Sequence, residues 1–183
     1  MATDLIEIDS DNPSSDAIEK AAGLIRRGGV VAVPSDALYM LIADPMNLQA
    51  VGRVFKAKGR ESSRSLPLLV PDILVAEELA AEVTSRFYLL ARHFWPGPLT
   101  IIVPAAAKVP LKVTGMTGRL GLRQSEAPAI QKLLEAVGQP VIGTSANISG
   151  QPTSRTGIEV FASMDGAVDL VLAARGVLAR LVA

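Results

Sequence analysis

Residues 128–150 read PAIQKLLEAVGQPVIGTSANISG, and they contain a helix, a stop, a buried strand and a polar loop. Pro128 suits the first turn of the helix, and Gly138 suits the position directly after its last residue. Residues 141–143 are apolar and are followed by small hydroxyl and amide side chains, which predicts a strand that enters a loop. A helix that leads into such a strand is typical of α/β domains.

Helices and short apolar strands alternate along the rest of the chain. Helices are predicted over residues 17–25, 48–58, 76–94 (as one or two helices) and 128–137, with a short one after Thr156. Strands are predicted over residues 30–33, 66–70, 99–103, 120–122, 141–143 and 168–172. Interleaved elements of this kind predict a single α/β domain over residues 1–183, with a mixed sheet and flanking helices.

The composition excludes several classes of functional site. The 183 residues include no cysteine, one histidine, and eighteen basic and eighteen acidic residues. Disulfide, zinc-finger and thiolate chemistry all require cysteine, and His93 alone cannot form a histidine-cluster metal site. Although mean hydropathy is +0.35, no apolar run approaches the roughly 18 residues of a membrane span, and the N-terminus lacks the pattern of a signal peptide. We therefore expect a cytoplasmic protein without a membrane partner.

A basic segment is the first candidate for chemistry. Five cations fall within twelve residues, at Arg53, Lys56, Lys58, Arg60 and Arg64. Lys58 and Arg60 flank Gly59, which suits the left-handed position after a helix, so both can project into the following loop. Clustered guanidinium and ammonium groups suit a polyphosphate ligand. A solvated helix end whose cations complement the helix dipole is the other interpretation.

Polar loops after two predicted strands are further candidates. Ser35 and Asp36 follow the strand at 30–33, and Ser145 and Asn147 follow the strand at 141–143. Open α/β sheets usually bind ligands at the carboxyl ends of their strands. The same residue types also form ordinary turns and helix caps, so both interpretations stay open.

Two other segments have a structural and a functional interpretation. Trp95 opens a rigid Trp-Pro-Gly-Pro corner and is expected in the core, with His93 beside it in a structural role. Arg119 and Arg123 flank the short strand at 120–122 with the same parity, so they point to one face of the sheet. That face is either solvated surface or a ligand cavity.

The order of five segments resembles a known family. These segments are PSDALY (34–39), KGR (58–60), WPGPLT (95–100), LR (122–123) and SANISG (145–150). In this order they resemble the YrdC-like family, the threonylcarbamoyl-AMP synthases of tRNA modification, and the resemblance is strongest over residues 18–171. It implies a twisted α/β sheet with a large concave cavity lined by basic side chains.

The resemblance also implies a reaction and its partners. Such enzymes make threonylcarbamoyl-AMP and pyrophosphate from L-threonine, bicarbonate and ATP, with Mg²⁺ on the phosphates, no organic cofactor and no metal held directly by protein side chains. Partner proteins then transfer the threonylcarbamoyl group to the adenosine next to the anticodon of tRNA. Direct binding of tRNA or double-stranded RNA is a further expectation.

The resemblance assigns roles to particular residues of this chain. Catalytic roles are expected for Ser35, Lys58 and Arg60. The expected ATP-binding residues are Lys58, Arg60, Arg64, Ser145, Asn147 and Thr153. The expected L-threonine-binding residues are Ala37, Leu69, Arg123 and Gly143.

The chain departs from the family pattern at several positions. The usual Tyr-Gly-Leu-Gly is Tyr39-Met40-Leu41-Ile42 here, which puts bulk where two glycines permit close approach or a positive φ. Glu61 replaces a common proline, and Ala37 replaces a common hydroxyl. Residues 173–180 do not match the Gly-rich and Ser-Thr-containing segment expected after the last strand. These departures favour an alternative: a non-catalytic or weakly active paralogue that binds nucleotide or double-stranded RNA.

Overall fold

Eight strands form one mixed sheet in the computed structural model, which describes residues 2–175. The strands are β1 (Asp4–Ile8), β2 (Val31–Pro34), β3 (Tyr39–Ala43), β4 (Leu68–Leu69), β5 (Ile101–Pro104), β6 (Arg119–Arg123), β7 (Val141–Ser145) and β8 (Leu170–Ala174). Their order across the sheet is β1-β8-β2-β3-β7-β4-β6-β5. The pairs β1–β8, β8–β2 and β4–β6 are parallel, and the other neighbouring pairs are antiparallel. The predicted α/β fold with a mixed sheet is confirmed.

Six helices flank the sheet within the same residues. They are α1 (Ser15–Arg26), α2 (Leu48–Ala57), α3 (Ile73–Leu79), α4 (Ser85–Phe94), α5 (Pro128–Val137) and α6 (Gly157–Met164). Gly138 ends α5 with φ +76°, and Gly59 follows the end of α2 with φ +53°, both as predicted. The segment at 76–94 is two helices, because backbone at residues 80–84 breaks the helical spacing.

Two strands were missed by the sequence prediction. β1 lies at the edge of the sheet and carries charged residues at Asp4 and Glu7, so its short sequence lacks a clear apolar run. Four residues separate β3 from β2, and the two strands pair antiparallel, so they form a hairpin. The sequence of β3 is apolar, but the prediction assigned no strand to it.

The two faces of the sheet pack against different helices. Leu41, Leu68 and Leu122 point toward a core shared with α2, α3, α4 and α6. Ile42 and Leu69 point to the opposite face, where α1 and α5 pack, and we call it the α1/α5 face. No helix among residues 2–175 is long and apolar enough to cross a membrane.

The strand register places several predicted site residues on the α1/α5 face. Leu69 lies opposite Arg123 on β6. Gly143 and Ser145 on β7 lie opposite Ile42 and Met40 on β3. Since directly opposed residues point to the same side of a sheet, all of these residues share one face.

Candidate functional site

Lys58 joins the end of α2 to the polar loop after β7. Its side chain is buried, with 2% relative exposure for the residue. Nζ donates to the carbonyl oxygens of Ser145 at 2.5 Å and Asn147 at 3.0 Å, and to Asn147 Oδ1 at 3.2 Å. The backbone N–H of Ser149 donates to the Lys58 carbonyl at 2.8 Å. These bonds fix the SANISG loop against the helix end.

Ser145 and Asn147 also bond to each other. Ser145 Oγ donates to Asn147 Oδ1 at 2.6 Å, and Asn147 Nδ2 donates to the Gln151 carbonyl at 2.6 Å. The loop is therefore a rigid polar turn, and it is also the strand-end position at which α/β sheets bind ligands. The structural and functional interpretations of this loop are compatible.

The positive charge near Lys58 has no acidic partner within residues 2–175. No carboxylate lies within ion-pair distance of Lys58, Arg60 or Arg64 in that part of the chain. Burial, and secondly the positive charge of Arg60, lower the pKa of Lys58 from 10.5 to about 8. Burial and Arg64 likewise lower the pKa of Arg60. An uncompensated group of cations of this kind favours an anionic ligand.

Arg60 is held only loosely by the protein. Its guanidinium donates from one terminal nitrogen to the Ser65 carbonyl at 3.2 Å. Its Nε is buried and has no hydrogen-bond partner among residues 2–175. Because buried polar groups are nearly always paired, this donor is available to a water molecule or a ligand atom.

Arg123 forms a buried ion pair with Asp36. Their side chains are 10% and 4% exposed, and a terminal guanidinium nitrogen lies 2.5 Å from Asp36 Oδ2. Arg123 Nε donates to the Gly97 carbonyl at 3.0 Å. Ser125 Oγ donates to Asp36 Oδ1 at 2.7 Å. Arg123 is thus oriented from two sides, by contacts that the sequence prediction did not include.

The Trp95–Pro98 corner supplies one of those contacts. Trp95 is buried, as predicted, and its Nε1 donates to the Leu99 carbonyl at 2.7 Å. The Gly97 N–H donates to the Gln124 carbonyl at 2.8 Å, which ties the corner to the end of β6. The corner therefore places Trp95 in the core and positions the Gly97 carbonyl to accept a hydrogen bond from Arg123.

The other predicted residues are exposed, half-buried or bonded within their own turn. Ser35 Oγ donates to the Leu38 carbonyl and accepts weakly from the Ala37 and Leu38 N–H groups at 3.3 Å, so Ser35 caps its own turn. Ala37 is exposed on that turn, and Thr153 is half-buried in the segment before α6. His93 is exposed, and Arg119, unlike Arg123, is exposed at the start of β6.

Met40 and Ile42 lie in a regular strand. Met116 is the one non-glycine residue with a positive φ in the described part of the chain, so neither position needs a glycine conformation. Their effect is one of volume, because both side chains stand on the α1/α5 face beside Ser145 and Gly143. Within the departing tail segment, residues 176–180 lie outside the described residues.

Leu69 and Gly143 pack closely against each other on the α1/α5 face, and we call this contact the tight floor. Leu69 is fully buried, and a Cβ built on Gly143 would lie 2.5 Å from Leu69 Cγ. Real side chains do not approach so closely, so a substitution must displace a packed leucine.

Gly143→Ala is expected to lower the free energy of unfolding by about 1–3 kcal/mol, because the added methyl overpacks the floor. Denaturant unfolding followed by circular dichroism measures the change. Gly23→Ala is the matched control, since its Cβ would meet only the flexible end of Arg27 at 3.3 Å within α1. The control is expected to be neutral or to stabilise by up to about 1 kcal/mol. Equal stability of the two variants would contradict the tight floor.

The described residues contain no group of three or more histidine, cysteine, aspartate or glutamate side chains placed to hold a metal ion.

The sequence matches a family model and several named proteins. The family model Sua5_yciO_yrdC, described as telomere recombination, matches residues 23–180. Threonylcarbamoyl-AMP synthase of Pseudomonas fluorescens is 36% identical over 87% of this chain and 85% of that protein. Threonylcarbamoyl-AMP synthase of Pyrococcus abyssi is 35% identical over 85% of this chain and 46% of that protein. The chain thus spans less than half the length of the Pyrococcus relative.

Solved structures agree with this relationship. The crystal structure of P. abyssi Sua5 complexed with L-threonine has a TM-score of 0.90 at 32% identity, over 94% of this chain and 50% of that chain. The crystal structure of E. coli YciO has a TM-score of 0.85 at 25% identity, over 93% of this chain and 83% of that chain. Family model, relatives and fold together show that this chain belongs to the Sua5, YciO and YrdC family.

Proposed function

We propose that this protein is a threonylcarbamoyl-AMP synthase, which makes threonylcarbamoyl-AMP and pyrophosphate from L-threonine, bicarbonate and ATP. One observation carries the proposal: two polar clusters of different charge lie along the same sheet. Lys58 and Arg60, beside the SANISG loop, form a cationic cluster to which residues 2–175 contribute no ion-paired carboxylate. Arg123 and Asp36 form a balanced pair on the α1/α5 face. The first cluster suits a polyphosphate, and the second suits a zwitterionic amino acid.

The proposed reaction needs charge neutralisation and alignment more than a protein nucleophile. The threonine amine adds to carbon dioxide with loss of a proton, or to bicarbonate with loss of water, and gives a carbamate. A carbamate oxygen then attacks the α-phosphorus of ATP, the bond from that phosphorus to the α–β bridging oxygen breaks, and pyrophosphate leaves. Both reactants of the second step are anionic, so fixed cations lower its barrier by stabilising the charge of the transition state. Lys58, Arg60 and Arg64 are proposed to face the ATP phosphates, with Ser145, Asn147 and Thr153 on the nucleotide side.

The amino acid is proposed to bind at the other cluster. Arg123 would hold the threonine carboxylate, while Ala37, Leu69 and Gly143 would line the pocket. Ser35 would lie near the reacting centre, because the next residue of its turn, Asp36, contacts Arg123. Holding two reactants in line is worth much of the rate enhancement in reactions of this kind.

ATP is proposed to enter as its Mg²⁺ complex, and the metal would neutralise part of the phosphate charge. The product is proposed to pass to partner proteins that modify tRNA at the adenosine next to the anticodon. The names of the relatives support an enzyme over the non-catalytic nucleotide- or RNA-binding alternative.

The purified chain is expected to release pyrophosphate from ATP only when L-threonine and bicarbonate are both present. Mass spectrometry of the same reaction should detect threonylcarbamoyl-AMP. Reactions that omit each substrate in turn are the controls. A folded protein that binds ATP without forming this product would overturn the proposal and would favour the non-catalytic alternative.

A further inference from the structure

The Asp36–Arg123 pair has a different electrostatic character from the cations around Lys58. Asp36 balances the charge of Arg123 in a nearly water-free setting, since their side chains are 4% and 10% exposed. Burial of such a pair is costly and often stabilises less than apolar packing would. Its presence at the end of β6, beside the β2–β3 turn, therefore calls for an explanation beyond stability.

Both side chains retain hydrogen-bonding capacity that residues 2–175 do not use. Arg123 has five N–H donors, and its two recorded bonds, to Gly97 and Asp36, leave three. The Asp36 carboxylate offers about four acceptor positions, and Arg123 and Ser125 occupy one each. A guanidinium and a carboxylate in contact, each with free positions, present adjacent sites for a negative and a positive ligand group.

We propose that Asp36 binds the α-ammonium group of the amino-acid substrate, and that the Asp36–Arg123 pair thereby selects zwitterions over simple anions. This inference rests on the proposed L-threonine site. An α-amino acid carries its carboxylate and ammonium close together, so it can place the first on Arg123 and the second on Asp36 with alternating charges. A simple anion gains the attraction of Arg123 but also meets the repulsion of Asp36.

The two clusters then divide the ligands between them. Phosphate and other anions are attracted to Lys58 and Arg60, where residues 2–175 provide no opposing carboxylate. The amino acid is attracted to the balanced pair, where anions are not. Ser125 is a positioning residue in this scheme, because its hydroxyl holds the Asp36 carboxylate and accepts from the Ala127 N–H at 3.2 Å.

Calorimetric titration of the full chain tests the proposal with three ligands: L-threonine, 3-hydroxybutanoate, which lacks the ammonium group, and inorganic phosphate as competitor. The wild-type protein is expected to bind L-threonine about 30-fold more tightly than 3-hydroxybutanoate, the size expected for a buried charged hydrogen bond. Phosphate should not displace L-threonine from the wild-type protein.

Asp36→Asn is the informative variant, because an amide keeps the shape and can still bond to Arg123 and Ser125. L-threonine binding should weaken about tenfold or more, whereas 3-hydroxybutanoate should bind equally or better and phosphate should begin to compete. Equal weakening of both organic ligands would overturn the inference, since Asp36 would then only orient Arg123. If the variant does not fold, the test rests on the wild-type protein. In that case, an affinity for L-threonine less than about threefold higher than that for 3-hydroxybutanoate overturns the inference.

Failure of the proposed function gives a different result. A wild-type protein that binds neither L-threonine nor its analogue would overturn the L-threonine site itself. A wild-type protein that binds both ligands with similar affinity would overturn only the role of Asp36.

Discussion

Lys58→Met is expected to lower kcat/KM for ATP by at least about 100-fold and the free energy of unfolding by about 1–3 kcal/mol. The loss of activity follows from removing a cation at the proposed phosphate site. The loss of stability follows from leaving buried oxygens of Ser145 and Asn147 without their donor. Pyrophosphate release and urea unfolding measure the two effects. Lys56→Met is the control, because Lys56 is an exposed cation two residues earlier, and it should change neither activity nor stability.

The depressed pKa of Lys58 adds a dependence on pH with a defined sign. Because its pKa is about 8 in the folded chain and 10.5 ordinarily, the unfolded chain binds more protons between these values. The contribution of Lys58 to stability therefore rises as the pH increases from about 8 to 10.5. The wild-type protein should gain stability over this interval relative to Lys58→Met, while its kcat/KM falls as Lys58 loses its charge. If the free energies of unfolding of the two proteins changed equally between about pH 8 and 10.5, the lowered pKa of Lys58 would be contradicted.

Local signals explain what the sequence predicted correctly. Gly59 and Gly138 adopt the left-handed conformation that few other residues tolerate, so the ends of α2 and α5 could be read from single positions. The apolar residues before Ser145 predicted both a strand and the polar loop at its end. The proximity of Lys58 to that loop was implied only by the family resemblance.

Long-range contacts explain what the sequence prediction missed. Asp36 and Arg123 are 87 residues apart, and no periodicity connects them. The prediction left Asp36 between a cap and a ligand-binding role, and it gave no role to the Gly97 carbonyl or to Ser125. In the sequence, such a pair is indicated only by charged residues next to buried strands, and many residues of that kind are solvated. The pairing emerges from the tertiary fold, which brings the end of β6 into contact with the β2–β3 turn.

The bulky residues at 40 and 42 show how structure limits an inference from a motif. Glycine can serve a positive φ or a close approach, and the regular pairing of β3 removes the first possibility here. The second remains, because Met40 lies opposite Ser145 and Ile42 opposite Gly143. The structure thus places both side chains on the α1/α5 face of a regularly paired strand, and β3 is not displaced by them.

Arg60→Ala is expected to lower kcat/KM for ATP by about 100-fold to 1,000-fold, with a change in unfolding free energy within about 0.5 kcal/mol. Within the described part of the chain, the Arg60 side chain makes one hydrogen bond, to the Ser65 carbonyl, and its buried Nε is unpaired, so the fold loses little when the side chain is removed. A phosphate, by contrast, would lose a charged donor that has no acidic partner within residues 2–175. This combination separates Arg60 from Lys58, whose removal should affect activity and stability together.

Lys56→Ala provides the matched control for Arg60→Ala, because it removes an exposed cation from the same basic segment. Its activity should stay within about twofold of the wild type, since an exposed charge is largely screened by solvent and salt. Pyrophosphate release at several ATP concentrations, together with urea unfolding of all three proteins, measures the comparison. Equal activity losses in the two variants would assign the effect to net charge, and full activity of Arg60→Ala would remove Arg60 from the proposed phosphate site.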